Sequence, residues 1–134
     1  MTKGRRQQRQ RGQETLQAVL AVAFILLPVL FGIVELGGLI HIWMGEQAAA
    51  AIGARVAGER GEDDAVVRDR IGTELVAAGL DPVHVQVSVV PAYARWGQPI
   101  TVEVISHRRL AIPFLFTRDV TLSSRYVGRG EVNH

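Results

Sequence analysis

Ala18–Val34 reads AVLAVAFILLPVLFGIV, seventeen residues without a charge. The apolar character continues past Glu35 to Ile40. A helix needs about 20 such residues to cross a hydrocarbon core of roughly 30 Å. Ala18–Ile40 supplies 23, or about 35 Å of helix at ~1.5 Å per residue. A chain of 134 residues with this stretch near one end has room for an anchor and one small domain. About 90 residues remain beyond it, enough for one helix and a few strands around a modest core.

Charge is divided sharply by position. Lys3, Arg5, Arg6, Arg9 and Arg11 fall in residues 1–12, which hold no acid, whereas the rest carries 10 basic against 13 acidic residues, a net of −3. Nucleic-acid binding needs a basic folded domain, so this charge distribution argues against it. The head has no apolar residue after Met1 and is expected to be a disordered tail. Its charges beside an apolar span hold that end in the cytoplasm by the positive-inside rule, so the C-terminal ~90 residues are exported. A cleaved secretory signal fits poorly. Its apolar core runs 7–15 residues, and the nearest Ala-rich site, Ala48–Ala51, lies beyond Glu35 and Glu46.

Within the span, Pro28 cannot donate to Phe24 and predicts a kink, which either shapes packing against like helices or is simply tolerated. Glu35 lies about 26 Å from Ala18 at the helical rise. It either marks the outer interface, with His41 and Trp43 following, or meets a partner inside an assembly. Ala49, Gly53 and Ala57 place small side chains every fourth residue on one helical face. Such a face admits another backbone closely; the partner is the chain's own sheet or, second, a neighbouring subunit. These segments join into one long element from about Gln13 to Ala57, with Gly37-Gly38 a possible hinge.

Gly58–Glu62 reads as a turn and Asp63 or Asp64 as the cap of a second helix. Its apolar face is Val67, Ile71, Leu75 and Ala78, and it ends at Gly79 with Leu80 packing back. Val83–Val90 alternates as a strand, Ile100–Ser106 is a second and Asp119–Val127 a third. Pro91–Pro99 is a loop. His107–Thr117 is a connection, and Leu110–Phe116 within it is either a crossover closing the core or an exposed contact patch. The tail from Gly128 is expected to fray. The fold class is α+β: residues 1–12 a basic leader, 13–57 a transmembrane and stalk helix, and 58–134 an exported domain with an antiparallel sheet of about three strands.

No catalytic or cofactor chemistry emerges. His41, His84, His107 and His134 lie far apart without ligand neighbours, and there is no cysteine. No phosphate loop or Gly-x-Ser-x-Gly occurs, and Asp63-Asp64 suits a helix cap. The expectation is a protein without enzyme activity, cofactor, metal or small-molecule ligand.

Arg11–Ala57 resembles the TadE-like family of the tight-adherence (Tad/Flp) pilus system. The likeness rests on Arg11-Gly12-Gln13 after a basic leader, Pro28 in the apolar run, Gly32, Glu35 and Gly37 in the Gly-x-x-(Glu/Asp)-x-Gly pattern, and Gly53-Ala54-Arg55. It covers about 47 residues; the remainder agrees only in its order of helix, then strands. The resemblance implies a minor pilin or pseudopilin of a bacterial pilus, serving cell adhesion or a secretion system, cut between Gly12 and Gln13 by a prepilin peptidase. It would reside in the inner membrane and contact other pilin subunits and Tad assembly proteins through Glu14, Gln17, Pro28 and Glu35. Gln17 stands where such proteins usually carry a glutamate that pairs with a neighbour's N-terminal amine. Glutamine accepts a hydrogen bond but forms no ion pair, which leaves Glu14 as the nearby carboxylate. The alternative is an uncleaved single-pass anchor bearing an adaptor or binding module.

Overall fold

The structure, a computed structural model, describes residues 3–133, with side chains from Gly12 onward. Its dominant element is α1, Lys3–Arg60, 58 residues in one helix and about 87 Å long at ~1.5 Å per residue. The helix passes uninterrupted through Pro28 and through Gly37-Gly38, so neither position ends it. It also includes most of the basic head, which corrects the expected disordered tail. Arginine, lysine and glutamine are good helix formers, and extending an existing helix avoids the cost of nucleation. The expected leader charges at Lys3 to Arg11 are side chains outside the described residues, as are Met1, Thr2 and His134.

After a turn at Gly61 (φ 71°), Asp64 caps α2, Ala65–Ala77, by accepting the Val67 N–H at 2.9 Å. Of the two candidate caps, Asp64 is therefore the one used. Gly79 (φ 76°) closes the helix, and the Leu80 N–H returns to the Leu75 carbonyl at 2.9 Å. Three strands come next: β1, Val85–Val90; β2, Pro99–Ile112; and β3, Phe116–Arg129. They form an antiparallel sheet in the order β1-β2-β3. The expected α+β architecture is therefore present.

The outer half of α1 fills the space between α2 and the sheet. Ala49, Ala50, Ala54 and Ala57 are fully buried with Val67, Ile71 and Leu75 of α2 and with Ile100, Val102 and Val104 of β2. Small side chains make this possible. A Cβ on Gly53 would lie 2.6 Å from Ile71 Cγ1, and one on Gly128 would collide with the Ala54 carbonyl oxygen. Two backbones touch there, which requires glycine.

Several boundaries differ from the sequence reading. Asp81-Pro82 starts a 3-10 turn, Pro82–His84, in which Asp81 accepts the Val83 N–H at 3.0 Å. β1 therefore begins at Val85, and Val83 is 86% exposed rather than on the core face. α1 continues three residues past Ala57. The C-terminal tail is tied down: the Gly130 N–H donates to the Gln98 carbonyl at 2.8 Å and the Glu131 N–H to the Gly58 carbonyl at 2.9 Å. The largest correction is at His107–Thr117, which is a hairpin rather than a crossover. Pairing continues through Arg109 with Asp119, Leu110 with Arg118 and Ile112 with Phe116. The period-two pattern in fact persists through Ser106, Arg108, Leu110 and Ile112, but Arg108 and Arg109 obscure it.

Candidate functional site

Two surfaces of α1 carry the candidate chemistry, and both arise from the side chains it presents. From Leu16 to Ile40 the helix exposes large apolar groups: Val22, Phe24, Ile25, Ile33 and Val34 each show more than 60% of their surface. The most apolar 18-residue stretch of α1 has a mean hydropathy of 2.7, and 6% of it is buried. One helix is thus long and apolar enough to cross a membrane. A water-exposed helix covered this widely with Leu, Ile, Val and Phe is unfavourable, since burying each such side chain is worth about 1.5–3 kcal/mol.

The hairpin of β2 and β3 lies along this same apolar half. Ser106 of β2 meets Glu46, Leu122 of β3 forms an apolar crevice with Leu39, Ile40 and Trp43, and a Cβ on Gly32 would lie 3.6 Å from Ile112 Cδ1. At the tip the Phe114 ring lies 5.8 Å from the Phe24 ring at an interplanar angle of 42°, within the range of a favourable aromatic pair. The hairpin therefore runs beside α1 towards the helix N-terminus. Pro28 and Gly32 are buried and Glu35 and Leu39 half-buried, one stripe on the covered face.

At the junction of the halves sits Glu46, fully buried. Ser106 Oγ donates a short hydrogen bond to Glu46 Oε1. Among the described residues Glu46 Oε2, Ser124 Oγ and Arg108 Nε are buried without a partner. Burial raises the Glu46 pKa above the ordinary carboxylate range; the Ser106 hydrogen bond and the Arg108 charge oppose that shift only in part. This cluster was not anticipated from the sequence. Its signal was available: Glu46 precedes Ala49, Ala50, Gly53 and Ala57 by three, four, seven and eleven residues and so lies on their buried face.

The residues expected to act together are spread along α1. Gly12, Gln13, Glu14 and Gln17 are exposed near its start, far from the domain. Pro28 and Glu35 lie under or beside the hairpin, and Ala49, Gly53 and Ala57 are inside the domain core against α2 and the sheet. Among the described residues no group of three or more His, Asp or Glu is placed to hold a metal ion. An open depression on α2 lined by Arg68, Asp69, Thr73 and Pro82 gathers no buried polar group. Comparison with protein-family models, with curated proteins and with solved structures found no match.

Proposed function

We propose that this chain is a membrane-anchored structural subunit of pilin-like design, a minor pilin or pseudopilin of a Tad/Flp-type pilus or related secretion apparatus. One observation carries the reading: a single uninterrupted helix exposes an apolar half and threads its other half through the core of an α+β domain. An anchor built this way transmits position rigidly, because the domain cannot move without the helix. The resemblance of Arg11–Ala57 to the TadE-like family supplies the assembly context. The basic head sets the N-terminus in the cytoplasm and the domain outside the bacterial inner membrane. Partners are the bilayer, other pilin subunits, Tad assembly proteins and a prepilin peptidase cutting after Gly12. Glycine inside a helix is about 1 kcal/mol worse than alanine, so the helix opens more readily at that bond. The role is structural rather than catalytic.

Mass spectrometry of the N-terminus of protein extracted from the native membrane tests this. A mature terminus at Gln13 is expected. An intact Met1 would support the uncleaved anchor with an adaptor module instead. Gly12→Leu should leave the precursor uncut on a gel; migration as the mature form would place the cut elsewhere.

A further inference from the structure

The hairpin tip is the strongest feature that the anchor alone does not absorb. Its sequence, Leu110-Ala111-Ile112-Pro113-Phe114-Leu115-Phe116, is wholly apolar, and Phe114, Leu115 and Phe116 are 80%, 63% and 49% exposed. Directly behind it stand Arg109 and Arg118, both exposed. Arg109 faces Asp119 at 3.5 Å, and Arg118 lies opposite Leu110 in the ladder. Phe114 adopts φ 67°, the only non-glycine residue with positive φ among the described residues. A bulky side chain in that region costs stability where glycine would not.

The hairpin's height along α1 can be read from its contacts. Ser106 meets Glu46 and Ile112 meets Gly32. Six strand residues, about 20 Å at ~3.4 Å each, match fourteen helical residues, about 21 Å at ~1.5 Å each. Halfway between, the Arg109–Asp119 pair is level with about Leu39, where the apolar run ends. The tip, touching Phe24, lies about 16 Å below Glu35 along the helix at ~1.5 Å per residue. With the end of the apolar run near Leu39 at the outer interface, the arginines stand at headgroup level and the tip lies below them in hydrocarbon.

We propose that Leu110–Phe116 is a second membrane-inserted element, entering the bilayer beside α1 from its outer face and reaching its middle, with Arg109 and Arg118 at the phosphates of anionic phospholipids. This rests on the reading of α1 as a membrane span. Arginine suits the headgroup level, where its stem stays apolar and its guanidinium binds phosphate bidentately. A sheet edge in hydrocarbon is costly because its backbone groups lack partners. Here that cost is limited, because only three ladder pairs lie beyond Arg109 and Asp119. Pairing between the strands and the Phe24 contact cover part of the rest. The insertion gives the domain two points of attachment and fixes its rotation about the helix axis.

The absence of cysteine makes the test clean. Val22→Cys, Leu115→Cys and Ser88→Cys are made singly in the full chain. Each is reconstituted in vesicles of phosphatidylcholine and phosphatidylglycerol, then treated with a membrane-impermeant maleimide. A fluorophore on each cysteine is separately challenged with nitroxide-bearing lipids. Val22 reports the anchor, Leu115 the tip, and Ser88 an exposed position on β1. Protection and lipid quenching at both Val22 and Leu115, with free labelling at Ser88, is the expected result, and Phe116→Cys should repeat the Leu115 behaviour. Protection at Val22 with labelling at Leu115 equal to that at Ser88 overturns the proposal and leaves the anchor standing. Labelling at Val22 removes the anchor and the proposal together. If Leu115 labels in vesicles yet is protected in native membranes, the tip meets a protein, and the lipid assignment is wrong.

Discussion

The two halves of α1 are one continuous helix with opposite logic. Towards the N-terminus it shows large side chains outward and packs little of them; beyond Glu46 it hides small ones and packs nearly all. The inner half packs only a stripe around Pro28 and Gly32 against the hairpin, so most of its apolar contour meets no protein neighbour. The outer half must admit α2 on one flank and the sheet on the other, and only alanine and glycine allow both approaches. Hydrophobicity therefore makes one half long and apolar enough to cross a membrane, and close packing builds the other. Stability of the fold resides almost wholly in the second.

Substitutions should reveal that difference in a graded series. Gly128→Val drives a side chain into the Ala54 carbonyl, and neither backbone has room to retreat. It should cost about 3 kcal/mol or abolish the folded domain, read as loss of near-UV circular dichroism in detergent. Ile71→Ala empties a fully buried site between α2 and Gly53 and should cost about 2–4 kcal/mol by denaturant unfolding. At the junction, Glu46→Gln keeps an acceptor for Ser106 and puts a neutral amide where the carboxylate is buried. The sign comes from the raised folded-state pKa. The wild type binds its proton more tightly when folded, so its stability is greatest below the ordinary carboxylate range and falls as pH rises through the raised value. The variant should lose that dependence and melt higher at neutral pH; a parallel decline with pH would show that Glu46 is not the group titrating. Asp64→Asn retains the cap acceptor but not the charge. The Val67 N–H holds the Asp64 pKa low, so the lost stabilisation is one present at neutral pH that fades as pH falls through the lowered value. A small drop in melting temperature, confined to neutral pH, is expected. Smallest of all, Val22→Ala on the inner half should change unfolding by no more than about 0.5 kcal/mol, because its side chain touches little protein. A larger loss there would mean that the inner half is part of the folded core.

The legible parts of this chain were those set by local pattern. The apolar run, the Asp64 cap, the face of Val67, Ile71 and Leu75, and the glycine stop at Gly79 are each written within a few consecutive residues. So is the Ala49, Gly53 and Ala57 stripe, whose expected partner, the chain's own sheet, it meets together with α2. The basic head was misread because composition speaks to packing, while its helix comes from propensity and continuity with the apolar run. His107–Thr117 was misread because two arginines interrupt an alternation whose register is dictated by β3.

The sequence by itself determined a long apolar helix, a capped second helix and three alternating strands, since propensity, periodicity and caps act over one or two turns. Tertiary structure alone decided that the hairpin folds back along the helix and carries its apolar tip to Phe24. It also decided that Glu46 is buried against Ser106 and within reach of the Arg108 charge. These residues lie 60 or more positions from Glu46 in the chain. Their meeting depends on how closely α1 and the sheet can approach, a distance set by glycines on both sides.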